Sequence, residues 1–406
     1  MRTVGVICEY NPFHFGHKHQ IDLLRAMGYD CIVCVMSGNY TQRGELAIFD
    51  KYTRAESAIY SGADLVLELP FPFSSFSAEG FANSGVHILS SLGVNAISFG
   101  SECGDLSVLQ RTADTITSPE FATVYNDLQK GGLGSAAAYF EAMKRISGND
   151  VSILSNDILG ISYVAAIKKQ NAKLDVVPIR RDGSAYNETR LFPNRFPSAT
   201  AIRDTIKNSG VDLKLSLNGY VPKESLSVLS SAQQKGLGPV FANSIYKEIV
   251  SFFRLSTPSE IVARAMMRSG GGYHIAEDGC GILERICRVA RDTDSFQSLL
   301  SSSYNSKYTD ARINRVILFS LFGLSDIMTH SMPNYTLLLA ASRYGREFLS
   351  KIRKSSSIPI VTKPSDADPN SIQRNICEFA DLLYTSAMPM KKETDYFIKS
   401  HPFMLE

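Results

Sequence analysis

Short apolar runs alternate with longer amphipathic segments over the first 205 residues of the chain. Five runs are nearly continuous in Val, Ile, Leu or Ala, as expected of strands that are buried on both faces of a sheet. They lie at residues 4–9, 31–36, 64–69, 96–100 and 175–179. Because helical segments of roughly 10 to 15 residues separate them, the pattern predicts an α/β fold with a Rossmann-like parallel sheet and crossover helices.

The pattern changes after about residue 210 and becomes mostly helical, with Ser-rich stretches and a run of three glycines at 270–272. Two segments interrupt the first half. Residues 70–77, with two prolines and three phenylalanines, are predicted to be an irregular loop packed on the surface, and residues 119–150 to be a helical insertion. We therefore expect two domains, residues 1–210 and residues 211–406.

Composition narrows the class of protein. The 406 residues are 44% hydrophobic and 20% charged, enough to bury a full-sized core. No run of 18 apolar residues appears and the first strand leads into polar residues, so we expect a soluble, unprocessed cytoplasmic protein with no membrane partner. Seven scattered cysteines fit a reducing compartment. Cys31 and Cys34 lie in an apolar run without further ligands, which predicts a structural role and no metal site.

The segment at residues 9–17, Glu-Tyr-Asn-Pro-Phe-His-Phe-Gly-His, follows the first predicted strand and opens the first predicted helix. Ligands of open parallel sheets bind beyond the carboxyl ends of the strands, where a helix N-terminus offers phosphate unpaired N–H groups. His14 and His17 could point two imidazoles at one phosphate, with Lys18 as a possible helper. Gly16 would let the nucleotide approach the backbone.

A second segment, Pro-Ser-Ala-Thr-Ala-Ile-Arg at residues 197–203, follows the last predicted strand. His-x-Gly-His after the first strand, combined with this segment, resembles the nucleotidyltransferase superfamily that includes class I aminoacyl-tRNA synthetases. The resemblance implies that Ser198 or Thr200 caps a helix whose N–H groups hold the β- and γ-phosphates, with Arg203 helping.

A closer resemblance covers nearly the whole chain. The segments VGVICEYNPFHFGH, VMSGNYTQRGE, GADLVLELPFPF, FGSECGD, SNDILGISYV and SATAIR resemble the bacterial tRNA(Met) cytidine acetate ligase family. The resemblance implies an enzyme that uses ATP to convert acetate to acetyl-adenylate. The enzyme would then acetylate N4 of the wobble cytidine of elongator tRNA(Met), releasing AMP and pyrophosphate. Mg²⁺ is expected to accompany the triphosphate.

The same resemblance implies an ATP site at the carboxyl edge of the sheet. Beyond the first motif it includes Gly100, Asn156 and Arg181, together with the second segment. The residues expected from the first motif are Ile7, Cys8, Glu9, Tyr10, Asn11, Pro12, Phe13, His14, Phe15, Gly16, His17, Lys18, His19 and Gln20. Residues 42–45, Lys51 and Arg54 could line the acetate or tRNA entrance, or form a solvated loop and an exposed helix face.

Charge is distributed unevenly along the chain. Residues 1–205 hold 18 Lys/Arg and 21 Asp/Glu, whereas residues 206–406 hold 24 Lys/Arg and 19 Asp/Glu. The second half is therefore the more basic one. Two basic segments there could contact tRNA phosphates, with Tyr308 or Tyr344 stacking on an unpaired base; solvated helix faces are the alternative. The basic residues are Lys307, Arg312, Arg315, Arg343, Arg346, Lys351, Arg353 and Lys354.

One departure from the family pattern keeps other functions open. After Arg181 the chain has Asn187 and Glu188 where the family is expected to carry a His-Asp pair. If that histidine takes part in acyl transfer, the activity is affected; if it only shapes the loop, nothing is lost. Which of Arg180 and Arg181 contacts ATP also stays open. The alternatives are a small-molecule nucleotidyltransferase and a nucleotide-sensing RNA-binding protein without catalysis.

Overall fold

The computed structural model of the protein describes residues 1–147, 155–181, 191, 196–209, 213–279, 281–305 and 307–406. The strands are β1 Thr3–Cys8, β2 Cys31–Ser37, β3 Leu65–Leu69, β4 Ala96–Ser101, β5 Asp175–Arg180, β6 Thr336–Ala341, β7 Ile360–Val361 and β8 Phe403–Met404. The helices of the first half are α1 Phe15–Ala26, α2 Lys51–Tyr60, α3 Ala78–Ser91, α4 Leu106–Ile116, α5 Pro119–Lys130, α6 Ser135–Ser147, α7 Ser155–Lys169 and α8 Ala199–Ser209. Those of the second half are α9 Leu213–Leu217, α10 Lys223–Gln234, α11 Tyr246–Arg254, α12 Pro258–Ser269, α13 Ile282–Val289, α14 Phe296–Ser303, α15 Asp310–Phe322, α16 Arg343–Ile352, α17 Ile372–Ala387 and α18 Tyr396–Lys399.

The strands form one sheet in the order β5-β4-β1-β2-β3-β6-β7, and β8 also pairs with β6. Strands β1 to β5 run parallel and lie within a residue or two of the predicted positions, so the predicted α/β fold class is confirmed. The sheet extends further than the sequence indicated. Strand β6, from the mostly helical second half, pairs antiparallel with β3, so the two predicted domains share one sheet.

Strand β2 shows why these runs form a central sheet. Alternate side chains point to opposite faces of a strand, and both faces of β2 are covered. Cys31, Val33 and Val35 pack in the core on one face, whereas Ile32, Cys34 and Met36 pack in the core on the other. Cys31 and Cys34 are therefore buried core residues, as predicted.

The prediction of a surface loop at residues 70–77 is wrong. Phe71, Phe73 and Phe76 are at most 2% exposed and lie in the main core, where Phe71 and Phe76 contact the ring of Phe319 on α15. Aromatic side chains of this size stabilise a core wherever the chain can bury them, and the helices of the second half cover them. The segment therefore joins the sheet to α15.

Lys51, at the start of α2, is buried and not on the exposed face considered from the sequence. Its ammonium lies 3.0 Å from Glu68 on β3 and 2.8 Å from Asp381 on α17. Burial opposes the charged form, but the carboxylates of Asp381 and Glu68 outweigh burial and raise the pKa of Lys51 well above its usual value. This cluster ties the second half of the chain to the sheet.

Helices α5 and α6 lie where the helical insertion was predicted. They pack on each other through a small core of their own that includes Phe121, Leu128 and Met143. Among the described residues, none of the helices combines the length and the apolar character that crossing a membrane requires.

Candidate active site

A cleft of about 440 Å³ lies beyond the carboxyl ends of β1, β4 and β5. The chain runs from β1 to β2 and β3 on one side and then returns to β4 and β5 on the other, so the cleft lies at the point where the strand order reverses. Open parallel sheets bind their ligands at this point. The N-termini of α1 and α8 also border the cleft and bring two positive helix-dipole ends to it.

His14 and His17 form a stacked pair at the start of α1. The Nδ1 of His14 accepts a hydrogen bond from the backbone N–H of Gly16 at 3.1 Å, and the Nδ1 of His17 accepts one from the N–H of His14 at 3.3 Å. The ring centroids are 3.8 Å apart and the ring planes make an angle of 25°. Because each Nδ1 acts as an acceptor, each neutral ring carries its proton on Nε2.

Both imidazoles are neutral at physiological pH. Burial lowers the pKa of His14 to about 3, and the charges of Arg181 and Arg203 act in the same direction. Burial also lowers the pKa of His17 well below its usual value, with His14 and Arg181 adding to the effect. The pair can therefore donate two Nε2–H hydrogen bonds to an anion, while the guanidinium groups supply the positive charge.

Gly16 also has a role in positioning His14, beside the approach of the nucleotide inferred from sequence. A Cβ at this position would lie 2.9 Å from Cε1 and 3.1 Å from Nδ1 of His14. Both distances are too short for non-bonded atoms, so a side chain would displace the imidazole that caps the helix. The glycine thus keeps His14 in place.

The second predicted segment forms the start of α8. The hydroxyl of Ser198 accepts a hydrogen bond from the N–H of Ala201 at 3.0 Å, as a helix cap does. Arg203 donates to the carbonyl of Asn11 at 3.1 Å and to the hydroxyl of Thr200 at 3.2 Å. Arg203 therefore links α8 to the loop after β1, and both segments face one cleft.

Most of the predicted ATP residues line this cleft. They are Ile7, Cys8, Glu9, Tyr10, Asn11, His14, Gly16, His17, His19, Gln20, Gly100, Arg181, Ser198, Thr200 and Arg203. Arg180 lines it too, so the choice between Arg180 and Arg181 stays open. The side chain of Asn156, in the first turn of α7, lies outside the described residues, as do Asn187 and Glu188.

Four predicted residues do not line the cleft. Pro12 and Phe13 are buried, and Phe13 packs on the ring of His17 at a centroid distance of 5.5 Å. Phe15 begins α1, and its N–H donates to the carbonyl of Tyr220. Lys18 forms an ion pair with Asp22 one turn further along α1, and its assistance at the phosphates stays a prediction.

Sequence reasoning missed an apolar wall of the cleft. Phe99 and Tyr163 lie with ring centroids 5.4 Å apart, next to Leu159 and Ile179. Gly160 makes room for this arrangement, because a Cβ there would lie 2.5 Å from the ring of Phe99. Such residues look like ordinary core positions in the sequence, and only the fold brings them to the cleft.

Gln42 and Arg43 line the cleft, as considered from the sequence, but Glu45 does not. Arg54 neither lines an entrance nor lies on an exposed face, because it is fully buried. Its guanidinium donates to backbone carbonyls at the ends of β1 and β2 and just before α2. The acceptors are Glu9 at 2.5 Å, Ser37 at 3.0 Å, Phe49 at 2.9 Å and Gly38. It therefore holds together the two loops that form this side of the cleft.

The first basic segment of the second half is mostly occupied by contacts within the protein. Arg315 is buried and paired with Glu277 at 2.6 Å, and Tyr308 is buried as well. Arg312 donates to the carbonyls of residues 277 and 278, whereas Lys307 is exposed. Arg315 and Tyr308 are only 8% and 6% exposed, which disfavours the predicted roles of Arg315 in phosphate contact and of Tyr308 in base stacking.

The second basic segment is exposed. Arg343, Tyr344 and Arg346 lie on the outer side of α16, while Phe348 and Ile352 on the same helix are buried. This arrangement leaves the basic side chains accessible, so they remain candidates for a contact with RNA. Among the described residues no group of three or more His, Cys, Asp or Glu side chains is placed to hold a metal ion.

Comparison with known proteins agrees with this arrangement. The sequence profile of the HIGH Nucleotidyl Transferase family matches residues 1–396. The tRNA(Met) cytidine acetate ligase of Caldanaerobacter subterraneus subsp. tengcongensis is 34% identical over 403 residues, covering 95% of this chain and 96% of that protein. The protein of the same name from Acetivibrio thermocellus is 35% identical over 384 residues, covering 90% and 89%.

Two crystal structures of Thermotoga maritima TmcAL are similar over the full length of both chains. The apo form gives a TM-score of 0.89 at 31% identity. The form bound with alpha-thio ATP gives a TM-score of 0.86 at 30% identity.

Proposed function

Since the chain belongs to the tRNA(Met) cytidine acetate ligase family of HIGH nucleotidyl transferases, we propose that it catalyses acetylation of N4 of the wobble cytidine in elongator tRNA(Met). The reaction uses ATP to activate acetate as acetyl-adenylate and releases AMP and pyrophosphate. The observation that carries the proposal is the pair of neutral imidazoles at the start of α1, facing the same cleft as Arg181 and Arg203.

In the first step a carboxylate oxygen of acetate attacks the α-phosphorus of ATP. The new P–O bond forms as the bond to the bridging oxygen breaks, and pyrophosphate leaves with the electron pair. His14 and His17 donate hydrogen bonds from Nε2–H to oxygens of the α-phosphate, and Arg203 with the N-terminus of α8 holds the departing phosphates. The protein mainly aligns two anions and stabilises the charge that develops between them.

The base and ribose of ATP fit the other end of the cleft. Phe99 and Tyr163 provide an apolar wall for the adenine. Gly100 follows Phe99, and a Cβ there would lie 3.1 Å from the Cγ of Arg181. A side chain at residue 100 would therefore push Arg181 away from its place in the cleft.

Mg²⁺ would enter with the triphosphate. This ion keeps several waters and commonly binds through substrate phosphates and one or two carboxylates rather than a dedicated protein cage. The described residues offer no such cage, but Glu102 lines the cleft and could supply one carboxylate. When bound, the ion would neutralise part of the phosphate charge.

The tRNA would bind on the second half of the chain, where Arg343 and Arg346 on α16 are exposed. Their guanidinium groups suit phosphate contacts, and the exposed ring of Tyr344 could stack on a base. Lys307 could add a further contact from the loop before α15.

The test is incubation of purified protein with ATP, labelled acetate and bacterial tRNA, followed by nucleoside analysis. We expect acetylated cytidine with the wild type and none with His14→Ala or His17→Ala. Adenylate formation without a tRNA product would indicate a small-molecule nucleotidyltransferase. Tight binding of ATP and tRNA without turnover would indicate a binding protein without catalysis, and would contradict the proposal.

A further inference from the structure

Glu9 places a carboxylate in a cleft that is otherwise suited to anions. It directly follows β1, is half-buried and lines the cleft. Its Oε1 accepts a hydrogen bond from the backbone N–H of Gln42 at 2.8 Å, which fixes the side chain against the loop after β2. Within the described part of the chain, its Oε2 accepts no hydrogen bond.

No basic side chain in the described part of the structure forms an ion pair with the carboxylate of Glu9. The guanidinium of Arg54 contacts the backbone carbonyl of Glu9 and not its carboxylate. Burial raises the pKa of Tyr163 on α7, and the charges of Cys8 and Glu9 act in the same direction. Burial also raises the pKa of Glu45, with Arg203 opposing and Glu9 adding to the increase. Glu9 thus lies near Tyr163 on α7 and beside the loop that carries Gln42, and no described residue donates a hydrogen bond to its Oε2.

A negative group beside ATP and acetate repels both of them. Such a group is useful when a proton donor enters the cleft. The second step of the proposed reaction brings one, because the exocyclic amine of cytidine is a weak nucleophile that must lose a proton as it is acylated.

We propose that Glu9 is the general base of acetyl transfer, an inference that rests on the proposed function. The N4 atom of cytidine attacks the carbonyl carbon of acetyl-adenylate and forms the C–N bond, while one N–H proton passes to Oε2 of Glu9. The bond between the carbonyl carbon and the phosphate oxygen then breaks, and AMP leaves with the electron pair. Carboxylates are among the side chains that serve this role in enzymes.

Other groups near the cleft are less suited to the task. His14 and His17 each accept a backbone N–H on Nδ1 and carry a proton on Nε2, so neither has a free lone pair for the amine proton. Asp157 accepts hydrogen bonds from the Ser101 hydroxyl at 2.6 Å and from two backbone N–H groups. Glu45 lies outside the cleft.

The test separates the two steps in one reaction. Wild type and Glu9→Gln are mixed with ATP, labelled acetate and tRNA, quenched at intervals, and analysed for acetyl-adenylate and for acetylcytidine. The Gln side chain can still accept from the N–H of Gln42 but takes up no proton. We expect acetyl-adenylate to form at a rate close to wild type and to accumulate, while acetylcytidine forms roughly 100-fold more slowly or worse.

Glu45→Gln is the matched control, because it removes a neighbouring carboxylate that does not line the cleft. It should change the transfer rate by less than about 3-fold, in keeping with general acid–base effects being confined to groups that reach the substrate. Equal loss of both steps in Glu9→Gln would assign Glu9 to ATP or metal binding and overturn the inference. Normal transfer in Glu9→Gln, or a selective loss in Glu102→Gln instead, would also overturn it. Absence of acetyl-adenylate in the wild type would contradict the proposed function itself.

Discussion

The neutral state of His14 makes the stability of the protein depend on pH in a calculable way. An unfolded histidine takes up a proton near its ordinary pKa of 6.5, whereas burial, helped by Arg181 and Arg203, lowers the pKa of folded His14 to about 3. Between these values the unfolded state binds more protons. The stability that depends on neutral His14 is therefore complete above about pH 6.5 and is lost as the pH falls toward 3.

The magnitude follows from the size of this window. Each pH unit below 6.5 lowers the free energy of unfolding by about 1.4 kcal/mol, because the unfolded state binds one more proton than the folded state in this range. At pH 5 the folded protein should thus have lost about 2 kcal/mol through His14 alone, compared with pH 7.5. That is a large share of the net stability of a typical domain.

Urea unfolding of the protein without ligand, measured at pH 7.5 and pH 5, tests this reasoning. His14→Asn is the informative variant, because Asn can still cap α1 with its side-chain oxygen but does not titrate. His17, whose pKa burial also lowers, remains in both proteins. We expect the wild type to lose about 2 kcal/mol more than the variant between the two pH values. Equal losses would show that folded His14 takes up a proton as an exposed histidine does, and would refute its burial in the neutral form.

Three further changes test other parts of the structure. Gly16→Ala should displace the His14 imidazole and weaken ATP binding by roughly 10-fold, the equivalent of a lost helix cap; unchanged affinity in calorimetry would contradict the contact. Arg54→Met should lower the free energy of unfolding by about 3–5 kcal/mol, because it leaves four buried carbonyls without their donor; a loss below about 1 kcal/mol in urea would argue against that network. Replacing Arg343 and Arg346 by Glu should weaken tRNA binding about 10-fold and reduce its salt dependence in filter binding, and no change would remove α16 from the interface.

The sequence predicted the parallel part of the sheet because its strands are short, apolar and separated by helices. Strand β6 escaped prediction. Its residues 336–341, Thr-Leu-Leu-Leu-Ala-Ala, form an apolar run within a mostly helical region, and such a run cannot be told from a buried helix by periodicity alone. Its partner β3 lies far away in the sequence, so no local pattern could reveal the pairing.

The motif of the candidate site was predictable because its polar residues are clustered in two short segments. The burial of Lys51 and Arg54 was not predictable, since charged residues are rarely buried unless they find partners. Their partners are a carboxylate on α17 and backbone carbonyls after β1 and β2. The sequence gives no indication of either. The place of Phe99 and Tyr163 in the cleft was not predictable either, because in the sequence they look like ordinary core residues.

The antiparallel pairing of β3 with β6 has a consequence during translation. About 270 residues separate the two strands, so at roughly 5–20 residues per second the ribosome needs on the order of 15 to 50 seconds to supply β6 after β3 emerges. Throughout that time the nascent sheet presents the edge of β3, with its run of Leu and Val and its unpaired backbone groups. A chain that ends near residue 210 lacks β6, so the edge of β3 stays unpaired. Completion of synthesis therefore protects the protein from pairing with its own copies, before any substrate is bound.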